Sequence, residues 1–306
     1  MMKHYSVMLN ECIEMLEIKP DGLYIDGTLG RGGHSFEILK RLTTGKLIVF
    51  DLDETAIKEA KERLADYQNV EYIHDNFANM YKYVEDASVD GILLDLGVSS
   101  PQFDDESRGF SYRFDSRLDM RMDQNQKISA YDVVNTYSKS DLALVLKKYG
   151  EEPFANRIAD FIVKERMNKP IETTFELVDV IKKSLPAKIL AKKGHPAKQT
   201  FLAIRIEVNH ELDSLKTVLE TFDKKLKVNG IMAIITFHSL EDRLVKTRFN
   251  ELSKVVVDKR IALRPEEIET APFELINRKV IIANEHELEE NSRSKSAKLR
   301  GIRRIR

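Results

Sequence analysis

Four glycines, Gly27, Gly30, Gly32 and Gly33, fall within one short turn. Leu23-Tyr24-Ile25-Asp26 precedes them and reads as a buried strand; Phe36-Glu37-Ile38-Leu39 follows and reads as the start of a helix. Glycine lets backbone turn tightly and approach a ligand closely. A helix start after such a turn offers free N–H groups to a bound molecule. A second strand, Lys46-Leu47-Ile48-Val49-Phe50-Asp51, ends in a carboxylate placed for ribose hydroxyls. The pattern predicts a nucleotide-type cofactor site. A dinucleotide fingerprint asks for G-x-G-x-x-G, but from Gly30 the third glycine is replaced by Ser35. Acids at Asp26 and Asp51 suit S-adenosylmethionine, which carries an ammonium and a sulfonium and no phosphate. The bland alternative is a glycine-rich turn without a ligand.

Another set of chemical residues is Asp95-Leu96-Gly97-Val98-Ser99-Ser100-Pro101-Gln102, after the apolar run Gly91–Asp95. Open α/β sheets bind ligands outside the carboxyl ends of their strands, which puts Asp95 beside the glycine turn. The small-residue turn ending in proline resembles the Asp/Asn/Ser-Pro-Pro-aromatic turn of amino-group methyltransferases. An exocyclic amine conjugated to a base is a poor nucleophile. Acceptors on its N–H groups raise its electron density and aim its lone pair, and in-line displacement then needs positioning and desolvation. The alternative for Asp95 is a cap on the next turn.

The elements that must hold these residues alternate. Strands are expected at Leu23–Asp26, Leu47–Asp51, Val70–Ile73, Val89–Asp95 and Ile231–Phe237, with helices near Phe36–Leu42, Glu54–Leu64 and Phe77–Val84. Asp53 is placed to cap the second helix. This predicts an α/β, Rossmann-like, doubly wound and mostly parallel sheet. From Ser129 to Leu185 the chain reads helical, with Ser140 and Thr174 as caps and Gly150 as a stop; Pro186–Pro196 reads as a loop. One long helix is expected over Thr200–Lys227. The expected domains are 1–103 with 209–306, interrupted by an all-helical insertion at 104–208.

Composition bounds the rest. The 306 residues are 42% hydrophobic and 32% charged, ordinary for a globular protein. The longest apolar run, Ile231–Phe237, is too short to span a bilayer. The first residues lack an apolar signal region, which predicts a cytoplasmic protein. One cysteine, Cys12, excludes an internal disulfide framework, and seven scattered histidines predict no metal. The net charge is −1, but residues 292–306 hold seven basic residues and no acid, leaving 42 basic against 50 acidic residues elsewhere. A basic tail on an acidic body points to a polyanion such as nucleic acid, or to a solvated terminus.

Other candidates have two readings each. Phe77 is either an adenine wall or core, and Asp75 holds the other adenine-reading position. His34 is either a ligand contact or a polar first-turn residue. His238 precedes Ser239-x-x-Asp242, which reads as a variant capping box. Arg108, Arg113, Arg117 and Arg121 lie among Phe103, Phe110, Tyr112 and Phe114. That combination suits unstacked RNA bases and phosphates, or a packed lid.

Eight ordered stretches together resemble the bacterial 16S ribosomal RNA (cytosine-N4)-methyltransferase family. They are Asp26-Gly-Thr-Leu-Gly-Arg-Gly-Gly-His-Ser35, Asp90-Gly-Ile-Leu-Leu-Asp-Leu-Gly-Val-Ser-Ser-Pro-Gln102, Arg108-Gly-Phe-Ser111, Leu118-Asp-Met-Arg-Met-Asp123, His195-Pro-Ala197, Ala203-Ile-Arg-Ile206, Phe237-His-Ser-Leu-Glu-Asp-Arg243 and Ser296-Ala-Lys-Leu-Arg300. The resemblance spans essentially the whole chain. It implies a class I methyltransferase fold, S-adenosylmethionine as donor, and a cytidine of the decoding region as acceptor, within 16S rRNA of the small ribosomal subunit. It implies cofactor contacts from Gly32, Gly33, His34, Asp51, Phe77, Asp95 and Gln102, with Asp95, Ser99, Ser100 and Pro101 at the reacting end. Lys198-Gln199 and Leu202 depart from the residues expected in relatives, away from the cofactor pocket. Cytosine N4 is paired inside a duplex, so the target must be single-stranded or flipped out. A homodimer is left open. The rivals are a DNA amino-methyltransferase, a nicotinamide oxidoreductase and a non-catalytic RNA-binding assembly factor.

Overall fold

The computed structural model describes residues 6–98, 103, 105–255 and 270–306. Two compact units divide the chain: Met1–Gly97 with Leu212–Arg306, and Val98–Glu211. The sequence expects the edges at 103/104 and 208/209.

The first unit is built on seven strands: β1 Leu23–Asp26, β2 Lys46–Asp51, β3 Val70–His74, β4 Val89–Asp95, β5 Leu226–Thr236, β6 Phe273–Leu275 and β7 Lys298–Arg304. Their order across the sheet is β3-β2-β1-β4-β5-β7-β6. β1 pairs in parallel with both β2 and β4, so the winding reverses direction there. The reversal opens a crevice at the carboxyl ends of β1 and β4, where ligands bind in such sheets. β7 is antiparallel to both of its neighbours. This is the Rossmann-like, doubly wound and mostly parallel sheet that the sequence predicts.

Strand alternation sorts the core onto two faces. Ile231, Ala233 and Ile235 of β5 join Ile38, Leu39, Ile57 and Ala60 on one face. Met232 and Ile234 join Leu215, Val218, Phe222, Val245 and Phe249 on the other. Only the stretches buried on both faces, Gly91–Leu94 of β4 and Ile231–Ile235 of β5, are apolar without a break.

β7 falls in the basic tail that the sequence assigns to a polyanion or to solvent. Leu299 and Ile302 are fully buried. Arg300 Nε lies 2.7 Å and Lys298 Nζ 3.3 Å from Asp242, and Arg303 pairs with Glu17. The strand's charges therefore balance acids of its own unit.

Helix ends depart from expectation where two polar residues compete for one cap. Ser138, not Ser140, accepts from Asp141 N and starts the helix Lys139–Gly150, and Glu151 with φ 49° ends it. Thr173, not Thr174, caps Thr174–Ser184 through a capping box with Glu176. The box at the carboxyl end of β5 is His238 with Glu241 rather than Ser239 with Asp242. The expected helix over Thr200–Lys227 is two, Lys198–Asn209 and Glu211–Lys225, broken at His210 with φ 51°. A short helix, Ala187–Leu190, occupies the expected loop. Asp53 caps Glu54–Arg63 as its sequence predicts.

The second unit is helical. Lys198–Asn209 packs on Lys139–Gly150 and Ala130–Thr136; Ala155–Arg166 packs on Lys139–Gly150 and Thr174–Ser184. Among the described residues no helix is long and apolar enough to cross a membrane.

Candidate functional site

The glycine turn joins β1 to the helix Gly33–Leu39. Gly32 sits at φ 71°, left-handed backbone that a residue with a Cβ rarely adopts. Asp26, at the end of β1, accepts from Thr28 N at 3.1 Å and from Ser35 Oγ at 2.6 Å. The serine that spoils the dinucleotide fingerprint thus anchors the turn to the strand. Asp51, at the end of β2, accepts from Gly30 N at 2.8 Å and from Asp53 N at 2.9 Å. It braces the turn, and each of its oxygens keeps a lone pair for a ligand. Burial pushes its carboxyl up to about 6.

Asp95 ends β4. Its backbone N–H donates to Thr28 Oγ1 at 2.6 Å, which ties β4 to the glycine turn. Its Oδ1 is buried and hydrogen-bonds to nothing among the described residues. Burial, with the charges of Asp26, Glu241 and Glu287, raises its carboxyl well above the usual range. The His34 ring is buried, holds the Val7 carbonyl oxygen through Nε2 at 3.0 Å, and has Nδ1 3.9 Å from Asp95 Oδ2. Burial lowers its proton affinity although Asp26 pulls the other way. The ring therefore offers the neighbouring aspartates little counter-charge.

Phe77 begins a 3-10 turn, Phe77–Lys82, that Asn76 caps. A Cβ built on Gly27 would lie 3.0 Å from the Phe77 Cβ, so the ring's base adjoins the end of β1. Phe77 is half-buried against the core. Asp75 beside it accepts from Asn79 and Tyr83 side chains. Burial raises its carboxyl, but these hydrogen bonds outweigh it and hold the group below the usual range.

Gly32, Gly33, His34, Asp51, Phe77 and Asp95 thus gather at the carboxyl edge of one sheet. Ser99, Ser100, Pro101 and Gln102 lie outside the described residues. His238 Nδ1 accepts from Glu241 N at 3.4 Å and so caps the helix Ser239–Leu252, and its Nε2 lies 3.0 Å from Glu241 Oε1. Two contributors carry no sequence signal. Thr28 was an ordinary turn residue, and Glu287 lies far along the chain in the helix Glu285–Glu290, where it accepts from Met8 N at 2.7 Å.

The four arginines expected on an RNA-facing wall divide into two kinds. Arg108 is buried and donates to the carbonyl oxygens of Arg121 and Met122. Arg121 makes a two-point pair with Asp119 and donates to Gln124 and Gln126 oxygens. Both hold their loop together. Arg113 and Arg117 are exposed.

A site lined by three aspartates fits a cationic ligand and opposes a pyrophosphate. Asp95 supplies a buried acceptor without a donor among the described residues, and Asp51 keeps a spare lone pair on each oxygen. The donor set therefore fits S-adenosylmethionine and disfavours a nicotinamide dinucleotide.

Residues 1–305 match the family described as the MraW methylase family. The chain is 52% identical over 310 residues to a ribosomal RNA small subunit methyltransferase H of Clostridium botulinum (strain Kyoto / Type A2), covering 99% of each. It is 51% identical over 308 residues to the protein of that name from Clostridioides difficile (strain 630), again covering 99% of each. An rRNA methylase structure from Streptococcus thermophilus, 13% identical over 97% of this chain and 94% of the other, aligns with a TM-score of 0.39, and nothing rests on that likeness.

Proposed function

Because the chain belongs to the MraW methylase family, we propose that it methylates the exocyclic N4 amine of a specific cytidine in the decoding region of 16S rRNA, with S-adenosylmethionine as donor. The observation that carries this reading is Asp95, whose buried Oδ1 has no partner among the described residues and lies at the switch point of the sheet. The names of the two clostridial relatives support small-subunit rRNA as the substrate. We place the reaction in the cytoplasm, with a small-subunit particle as the physical substrate, and a homodimer is compatible with it.

When bound, S-adenosylmethionine supplies a methyl on sulfonium sulfur, which keeps the electron pair as the amine nitrogen forms the new bond and sheds one proton. The chain's part is binding and aim. Gly32 and Gly33 let backbone approach the donor closely, and His34 fixes that backbone through its bond to Val7. Asp51 receives ribose hydroxyls on its spare lone pairs. Phe77 walls the adenine. Asp95 accepts an N–H at the reacting end, which positions the nucleophile without taking on a full charge. Gln102 and the Ser99-Ser100-Pro101 turn complete the site on sequence grounds.

The test is methyl transfer from radiolabelled S-adenosylmethionine to small ribosomal subunits from a strain lacking the activity, followed by nucleoside analysis. The expected product is labelled N4-methylcytidine, lost in Asp95→Ala that still folds. Label in another nucleoside, or none despite cofactor binding, would reject the reading.

A further inference from the structure

The helical unit holds a cavity of about 270 Å3 lined by Tyr112, Phe175, Val178, Asp179, Lys182 and His195. One wall is aromatic and built in layers. The His195 ring stacks on Tyr112, with centroids 4.1 Å apart and planes 8° from parallel. Phe201 supports Tyr112 edge-on at 5.6 Å. The other wall is the helix Thr174–Ser184. Phe175, Asp179 and Lys182 recur there at i, i+4 and i+7, on one side of the helix. Phe175 is 43% exposed, a large ring that the core does not use.

Both walls are fixed in advance. The Thr174 hydroxyl donates to Phe114 O at 2.6 Å and accepts from Ser116 N at 3.1 Å, stapling the Tyr112 loop to the helix. Arg117 forms a β-bridge with Thr173. A preformed slot spends little binding energy on ordering.

The polar edge of the slot is mixed. His195 Nδ1 accepts from Ala197 N at 3.3 Å, so Nε2 carries the proton and is the ring's donor. Burial and the nearby charges of Lys182 and Arg113 keep the ring neutral. Asp179 offers an acceptor and Lys182 a cation. Between Lys182 and Lys198 the sequence has six lysines and no acid. Lys182, Lys188, Lys192, Lys193 and Lys198 make no ion pair among the described residues. Stacked aromatics beside unpaired cations are the two elements of single-strand recognition. The volume falls just below the roughly 300–1,000 Å3 of drug-sized sites, which suits one base and not a pair.

We propose that this slot binds one unpaired nucleotide of the RNA substrate, its base stacked against Phe175 and the Tyr112–His195 wall and its phosphate held by Lys182 and Arg113. It is a separate subsite, assembled wholly within the helical unit, and it rests on the reading that the substrate is RNA.

The test uses the full chain and a short fluorescein-labelled single-stranded RNA, followed by fluorescence anisotropy over a range of salt. Phe175→Leu keeps apolar area and removes the ring. It should weaken binding by about tenfold without changing the salt dependence, and Phe175→Tyr should restore binding. Lys182→Ala should reduce the slope of log K against log salt by about 0.7. Both positions are exposed, so thermal unfolding should not move. Phe175→Leu binding within about twofold of the parent, or equal binding of the same sequence as a duplex, would overturn the slot. Methyl transfer measured in parallel separates the two readings. RNA binding that responds to Phe175→Leu without methyl transfer sinks the methylation reading and leaves the slot. Methyl transfer with unaltered Phe175→Leu binding does the reverse.

Discussion

Residues 298–304 and 182–198 both carry dense positive charge, but the fold treats them in opposite ways. In the first, Lys298, Arg300 and Arg303 meet Asp242 and Glu17, and Arg304 donates to the carbonyl oxygen of Leu226 at 2.6 Å. In the second, Lys183 reaches Glu165, while the other five lysines lie exposed and pair with no acid among the described residues. Sequence charge counts both alike. What separates them is whether the folded chain supplies the counter-charge. A cation satisfied within its own unit is part of the structure, and one left over is available to a ligand. Strand β4 repeats the lesson with the sign reversed: Asp90 near its start is met by Lys19 and Lys227, whereas Asp95 at its end keeps an oxygen that meets nothing among the described residues.

The harshest test of this contrast is to end the chain after Ser296. That removes β7 from between β5 and β6, with the fully buried Leu299 and Ile302. Losing a strand interior to the sheet should abolish cooperative unfolding and cofactor binding together. Circular dichroism through a thermal scan and calorimetry with S-adenosylmethionine would show this. A shortened chain that folds, binds the cofactor and loses only RNA would return the tail to the role of a solvated arm.

A gentler break is Asp242→Ala, which strips the partner from Arg300 and Lys298. Hydrogen bonds to charged groups contribute about 1.5–3 kcal/mol each when the donor is then left wanting. Arg300 is largely covered and Lys298 is not, so a loss near 2 kcal/mol is expected in urea unfolding. RNA affinity of the folded protein should not change. A loss of RNA affinity with unaltered stability would place Asp242 and Arg300 in recognition instead.

How far the sequence shows this depends on the physical signal each residue leaves. The glycine turn, Asp51 and Asp95 are legible because a strand, a tight turn and a terminal acid must be consecutive in sequence to be adjacent in space. β7 is not legible: its Lys and Arg pairs with acids at positions 242 and 17 are invisible along the chain, and only Leu299 and Ile302 hint at a strand. Thr173 and Thr174 are chemically equal candidates for a cap, so only the backbone decides between them. The break at His210 needs a left-handed residue that is neither Gly nor Asn. Arg108 and Arg113 look alike in sequence and differ wholly in burial. Glu287 enters the field at Asp95 from the far end of the chain.

Removing charge from the other region should leave the fold alone. Lys188→Ala, Lys192→Ala and Lys193→Ala combined should change stability by no more than about 0.5 kcal/mol, as exposed substitutions do. Each lysine that rests on a phosphate should take about 0.7 from the salt slope of single-stranded RNA binding. An unchanged slope would make these lysines a solvated surface and erase the contrast with β7.

The smallest effect sharpens the acidic side. Burial holds the Asp51 carboxyl at about 6 in the folded protein, against 3.8 for a free aspartate side chain. Between those values the folded chain keeps a proton that the unfolded chain has lost, so this group's contribution to stability is present at low pH and is lost as pH rises through about 6. Cofactor affinity should move the other way, because ribose hydroxyls donate to the ionised carboxylate and binding then expels the proton. Affinity for S-adenosylmethionine should therefore fall by roughly tenfold from pH 7 to pH 5, with proton release visible by calorimetry in buffers of different ionisation enthalpy. Asp51→Asn should bind weakly and flatten the profile. A parent profile already flat across that range would mean that Asp51 only braces Gly30 and Asp53 and takes no part in holding the ligand.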